Sequence, residues 1–271
     1  MNLYFRFPDF KTKALTLSYD DGTVHDRRMV GILNRYGIKC TFNLNSGILG
    51  AGGRISREEA AELYRGHEIA VHTLTHPRLD CVSTAEAARE ILLDRQNLEE
   101  ITGGIVDGMA YPYGLYDTNG EPETAALCGI RYARTTLSTH GFGLPKDFLR
   151  WNPTCHHADS SFAELAGRFL APDDTEHFWR ISPKLFYIWG HSYEFENNNN
   201  WELLEEICEK LGGRGAVWYA TNKEVCGYIS DFKRLESSSN GEVLFNPTAQ
   251  RLYASAGQKE LIIEPGQTVR L

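Results

Sequence analysis

Hydrophobic and polar positions alternate along this chain with two different periods, and the switches between them lay out its elements. Leu15, Leu17 and Tyr19 alternate with Thr16 and Ser18, a period of two that predicts a strand over 14–19. Further β-like runs lie at 39–44, 68–72, 106–111, 130–135, 148–152, 185–190 and 216–220. Between them the spacing turns helical. Met29, Ile32, Leu33 and Tyr36 share one face, Ser56 with Glu59 makes a capping box before Ala60–Tyr64, and Ser83-Thr84 opens a long helix that closes at Gly103-Gly104. Residues 201–211 form another amphipathic helix, ended by Gly212-Gly213.

Repeated βα units imply a parallel sheet. About seven or eight of them in 271 residues predict an α/β fold, a distorted (β/α)7-8 TIM-like barrel, better than an open doubly wound sheet. No glycine-rich dinucleotide fingerprint opens the first helix. Asn197 to Asn200 is a polar loop, and there is no internal repeat. After the turn Ser237–Gly241, residues 242–271 alternate like short antiparallel strands around Pro247 and Pro265-Gly266. The expected organisation is a barrel over 1–230 and a small β-rich C-terminal appendage over 231–271, packed with the strand-like N-terminal segment.

The formal charge of −8 argues against nucleic acid as a partner, because phosphate neutralisation needs clustered Lys and Arg. A small neutral or cationic substrate suits it better. No apolar run reaches the length of a membrane span, and the N-terminal residues show neither a basic n-region nor an apolar h-region. Six cysteines are scattered without a CxxC pair, which fits reduced core thiols. The expected location is therefore cytoplasmic. Cys155-His156-His157 is discounted as a ligand set, since adjacent side chains seldom converge on one ion.

Chemistry collects where the strands stop. Asp20-Asp21-Gly22 ends the first long apolar run, with two carboxylates freed from the ladder by a glycine turn. His72 and His76 follow the run 68–71, and Pro77 disfavours helical dihedrals at His76, so the pair lies on a strand end and its loop. The Tyr111-Pro112-Tyr113-Gly114 loop and His191 follow two further runs. In a barrel such carboxyl ends share one face. Two imidazoles and a carboxylate leave open positions on an ion, where bound water loses its proton near neutral pH.

With these residues assembled, the chain resembles the polysaccharide deacetylase (NodB-homology) family, metal-dependent enzymes on a distorted (β/α)7 barrel; the likeness spans roughly residues 12–226. The family's T-F-D-D-G motif is met in looser form by Leu17–Gly22, which implies Asp20 as catalytic base and Asp21 as metal ligand. Its H-[ST]-x-x-H motif is met in full by His72-Thr73-Leu74-Thr75-His76, which implies both histidines as ligands. The R-x-P-[FY] motif keeps Pro112 and Tyr113 but has Ala110 in place of the arginine that orients the base, leaving Arg134 or Arg150 as substitutes. The resemblance implies that the Tyr113 N–H helps hold the oxyanion, with Tyr111 and Pro112 shaping the substrate site. The Asp- and Trp-based fourth motif has no clear counterpart, and Arg150-Trp151-Asn152 stands near its place. The final L-x-H motif appears as Trp189-Gly190-His191, implying His191 as general acid and Trp189 in the acyl pocket.

The resemblance thus implies a hydrolase that removes an N-acetyl or related acyl group from an amino sugar or oligosaccharide, using one divalent ion. Zn2+ is the default, and Co2+, Ni2+ or Fe2+ also suit these ligands. The alternatives are an amidohydrolase opening a ureide or cyclic amide, a ferrous oxygenase on the same ligands, and a catalytically weak carbohydrate-binding relative. The sequence leaves the oligomeric state open.

Overall fold

The computed structural model describes residues 3–173 and 181–271. The chain opens with β1 (Leu3–Arg6) and continues into β2 (Lys13–Asp20), the central strand, whose eight residues are all buried. After it come β3 (Cys40–Leu44), β4 (Glu68–Val71), β5 (Gly108–Ala110), β6 (Tyr132–Arg134), β7 (Cys155–His156), β8 (Lys184–His191) and β9 (Val217–Tyr219). These strands form one eight-stranded sheet in the order β6-β5-β4-β3-β2-β8-β7, with β9 on β2. Every pairing is parallel. A sheet buried on both faces is written as a nearly continuous apolar run, and β2 departs from that only where partners wait. Thr16 Oγ1 donates to Asn222 Oδ1 at 2.8 Å, and Ser18 Oγ accepts from Asn43 Nδ2 at 2.8 Å.

The sheet curls into a barrel. An isolated parallel bridge between Arg134 and Trp151, with Thr135 N–H donating to Trp151 O at 3.1 Å, sets the segment before β7 against β6. The run 148–152 is therefore not a strand as expected. Phe148–Arg150 is a turn of 3-10 helix, capped by Asp147, whose side chain accepts the Leu149 N–H; only Trp151 pairs, and the strand proper comes at Cys155–His156. The apolar content of Phe148, Leu149 and Trp151 signals burial of single side chains, which periodicity over so short a stretch does not separate from a strand.

The helices are α1 (Asp26–Arg35), α2 (Arg57–Leu63), α3 (Thr84–Thr102), α4 (Glu121–Leu127), α5 (Phe162–Leu170), α6 (Ser192–Asn197), α7 (Trp201–Leu211) and α8 (Asn222–Phe232). Ser56 and Ser83 cap α2 and α3 as their sequences predict, accepting the N–H groups of Glu59 and Glu86. The Ser56 box closes only on that side, because the Glu59 carboxylate is taken by Arg27 at 2.6 and 2.8 Å. Gly103 ends α3 in the left-handed region at φ 65°, where glycine carries no Cβ penalty. The expected polar loop Asn197–Asn200 begins in the last residue of α6 and runs to the start of α7.

Beyond α8 come β10 (Glu236–Ser237), β11 (Val243–Phe245), β12 (Leu252–Ala256), β13 (Lys259–Ile263) and β14 (Thr268–Arg270). They make two small antiparallel sheets, β10-β11-β14 and β1-β12-β13. The N-terminal strand is thus the edge strand of a sheet otherwise built from C-terminal residues. The Tyr228 hydroxyl on α8 fastens the arrangement, donating to Arg6 O at 2.8 Å and accepting the Tyr253 N–H at 2.9 Å. All six cysteines are free thiols, and Cys81 alone is exposed. No helix among the described residues is long and apolar enough to cross a membrane.

Candidate active site

Register fixes the level of the site. Asp20, the last residue of β2, pairs with Asn43 on one side and His191 on the other, so the carboxyl ends of three adjacent strands meet there. The chain then turns sharply. Asp21 has φ 79° and Gly22 φ 59°, and the Asp21 N–H donates to Asn43 O at 3.0 Å. Thr73, His76 and Tyr113 also hold positive φ, at 67°, 64° and 59°. Such backbone costs about 1–3 kcal/mol per residue and persists where surrounding contacts over-determine it, a pattern concentrated at functional sites.

These contacts are visible. Asp94 on α3 accepts the N–H groups of His72 at 3.0 Å and Ser46 at 2.7 Å. Glu90, one helical turn earlier, accepts the N–H and hydroxyl of Thr75 at 2.8 and 2.9 Å. Asn45 Nδ2 donates to Thr73 O at 3.0 Å. The loop carrying both histidines is therefore clamped by α3 and by the end of β3. None of these clamps was expected from sequence. The visible signal is the interruption of apolar faces by Glu90, Asp94, Asn43 and Asn45, all of them buried.

Asp21 Oδ1 lies 3.9 Å from His72 Nε2 and 3.8 Å from His76 Nε2. His72 Nδ1 is 2.8 Å from the Ala110 carbonyl, which can only accept, so Nδ1 carries the proton and Nε2 presents its lone pair. Holding the outer ring nitrogen this way is the usual support of a ligating histidine. The three donor atoms lie within 4.8 Å of one another, and the set can hold a metal ion.

Asp20 is buried beside this group. Its Oδ2 lies 3.9 Å from both His72 Nε2 and His191 Nε2, and its Oδ1 accepts from Asn43 Nδ2 at 2.8 Å. Arg134 Nη2 donates to Oδ2, and the guanidinium is fully buried over the Trp189 ring, 4.6 Å from its centroid. Burial by itself would raise the Asp20 pKa, but Arg134, His72 and His191 outweigh it and hold the carboxyl below its usual range. Of the two arginines offered for the missing third-motif position, the structure brings Arg134 to Asp20. Ala110 and Arg134 are register partners on β5 and β6, so the charge comes from the neighbouring strand at the same level. Arg150 is occupied at the surface by Asp117, Asp147 and Glu123.

Around these groups lies a cavity of about 450 Å³, lined by Asp20, Asp21, His72, His76, Tyr111, Tyr113, Gly114, Thr136, Trp189, His191 and Tyr193. Tyr113 is 60% exposed and meets the His76 ring edge to face at 4.6 Å, so it forms an open rim. Tyr111 is buried, with its hydroxyl donated to Leu149 O at 2.9 Å, and it offers the cavity a wall. Pro112 is buried within the turn. Gly114, at φ 68°, must be glycine: a Cβ there would stand 2.0 Å from Thr136 Oγ1.

Known proteins similar to this chain include polysaccharide deacetylases. A family model described as polysaccharide deacetylase matches residues 8–133. The peptidoglycan-N-acetylglucosamine deacetylase PgdA of Listeria monocytogenes is 32% identical over 111 residues, which take in 40% of this chain and 23% of that protein. The chain therefore spans under a quarter of that relative's length. Among solved structures, a Mycobacterium smegmatis protein proposed to be a polysaccharide deacetylase aligns with TM-score 0.60 at 18% identity, over 85% of this chain and 94% of that one. The chitin deacetylase of Colletotrichum lindemuthianum aligns with TM-score 0.51 at 21% identity, over 79% and 88%.

Proposed function

We propose that the chain, which the polysaccharide deacetylase model matches over residues 8–133, is a metal-dependent hydrolase of that family releasing acetate from an N-acetylated amino sugar or its oligomers. The observation that carries the reading is the meeting of Asp21, His72 and His76 around one point, with Asp20 and His191 3.9 Å apart beside it. Asp21, His72 and His76 would hold a divalent ion, with Zn2+ the default for this donor set. When bound, the ion supplies Lewis acidity toward the amide carbonyl and an acidified water.

The remaining work falls to the chain. Asp20, kept anionic by Arg134, takes a proton from the attacking water as the new C–O bond forms. Charge develops on the carbonyl oxygen, and the Tyr113 N–H is the donor that the family resemblance assigns to it; losing one such donor commonly costs roughly 3 kcal/mol of barrier. His191 gives the Nε2 proton to the amide nitrogen as the C–N bond breaks and its electron pair stays on nitrogen. Acetate and a free amine result. Burial opposes a charged His191, but Glu194, Asp20 and Asp21 overcome it and raise the pKa, which favours the acid form relative to a free imidazole. Tyr113, Trp189 and Tyr193 offer ring faces to a sugar.

The test is acetate release from N-acetylglucosamine and its oligomers by protein loaded with Zn2+, Co2+, Ni2+ or Fe2+. Acetate with a matching free amine supports the reading. Ring opening of a cyclic amide without acetate would favour the amidohydrolase alternative, and sugar binding without product would favour the carbohydrate-binding one.

A further inference from the structure

Away from the ligand group, Glu194 in the first turn of α6 is ringed by three imidazoles. His156 Nε2 stands 3.0 Å from its Oε2, His157 Nε2 3.4 Å from the same oxygen, and His191 Nδ1 3.4 Å from Oε1. Oε2 also accepts the backbone N–H of His191 at 3.1 Å, which ties the carboxylate to the residue it faces. His156, His191 and Glu194 have ligand atoms within 4.8 Å of one another, close enough for an ion. The tautomer of His156 argues otherwise. Its Nδ1 accepts the Ala158 N–H at 3.2 Å, so the neutral ring carries its proton on Nε2, the atom aimed at Glu194. A donor, not a lone pair, points at the carboxylate.

His157 completes the enclosure. It is stacked on Tyr19 and Phe195, and burial and the neighbouring His156 push its pKa down to about 3, so it stays neutral. Gly190 makes room for it, since a Cβ there would come within 2.0 Å of Nδ1. What remains is His191. Its Nε2 faces Asp20, while its Nδ1 is buried without a well-directed partner and has Glu194 in front of it. An imidazole that passes protons through Nε2 keeps one tautomer and one orientation only if an acceptor holds its Nδ1–H. Hydrogen bonds of this kind are often long before substrate binds.

Resting on the deacetylase reading, we infer that Glu194 is the positioning residue for the proton donor His191, with His156 holding Glu194 in place. The carboxylate partner of the acid thus comes from three residues downstream of it, in a chain without the family's Asp-based fourth motif. Groups facing His191 are Asp20 at the end of β2 and Asp21 just after it, Glu194 and Tyr193 on α6, and His156 at the end of β7 with His157 just after it. Glu194 is itself held well below the usual carboxylate range: burial works the other way, and hydrogen bonding by His156 and His191 prevails.

Two readouts on Glu194→Gln decide the matter. In an NMR titration of the histidine rings of metal-free protein, the His191 pKa should fall by roughly one unit or more, the scale set by removing an adjacent opposite charge. In kinetics, the ratio of kcat on an N-acetyl sugar to kcat on an aryl acetate should fall about tenfold to a hundredfold, part of the roughly 10²–10⁴ a general acid contributes, because a phenolate leaves without protonation. An unmoved His191 titration, or equal losses on both substrates, overturns the proposal. So does elemental analysis finding a second bound ion that Glu194→Gln removes. Should that variant not fold, Glu194→Asp reads the same comparison with the charge drawn back by one methylene. A wild-type protein inactive on every acetamide would sink the deacetylase reading, while the titration would still judge the pairing of Glu194 with His191.

Discussion

The two sides of the cavity are built on different plans. On one side, Asp20, Asp21, His72 and His76 stand in two short local motifs, inside the 8–133 segment that the family model matches. On the other, Arg134, His191 and Glu194 lie outside that segment, and Arg134 reaches Asp20 across 114 positions of chain. In the proposed reaction the ligand side needs donors at set spacing on a strained loop, which fixes residues in sequence. The acid side needs only charges at set points in space, and any neighbouring strand at the right register can deliver them. Ala110 and Arg134 illustrate this, one strand having supplied what its partner lacks.

The sharpest break in that comparison comes at the shared residue. Asp20→Asn should lower kcat by roughly 10²–10⁴, the range for a general base, while elemental analysis still finds the ion, because the ligands are untouched. Near-normal turnover would remove Asp20 from its role. Next in size is Arg134→Ala, which strands a buried carboxylate and should cost about 3–5 kcal/mol of stability in denaturant unfolding. Returning the charge by the double variant Ala110→Arg with Arg134→Ala should recover part of both stability and kcat. No recovery would mean that position on β6, not charge alone, matters. A smaller effect is expected in pH. His191 must be protonated to donate and its pKa is raised, so the alkaline fall of kcat/KM should lie above the ordinary imidazole value of about 6.5. A fall at or below that value would contradict the role. Smallest is Tyr113→Ala, which keeps the backbone N–H and removes the exposed ring. It should raise KM by a few-fold for oligomers, about 1 kcal/mol of stacking, with kcat little changed.

The fold was legible because β2 declares itself by alternation and the long helices by their caps. Residues 201–211 match α7 end to end, and Ser83 and Gly103 bracket α3 as expected. The short elements were not legible. α4 has seven residues and α6 has six, too few turns for a period to show. The grouping of Asp21, His72 and His76 was legible as well, because each follows a parallel strand whose carboxyl end lies at one level of the sheet, and the structure brings their donor atoms within 4.8 Å of one another. The supports were not. Asp94 and Glu90 interrupt the apolar face that Ala87, Ile91 and Leu98 give α3, but that interruption does not say which backbone groups they hold. Glu194, spaced as a helix-start acid, is indistinguishable by pattern from a simple cap.

The central claim is that Asp21, His72 and His76 hold one divalent ion that makes this cavity a deacetylase. It is tested most directly by stripping the protein with a chelator and following acetate release from an N-acetylglucosamine oligomer as Zn2+ is returned. Activity should vanish on stripping and return to a plateau at one ion per chain, and His76→Ala should not reach that plateau at the same loading. Acetate release undiminished in the stripped protein, or a wild-type protein that releases none at any loading, would contradict it.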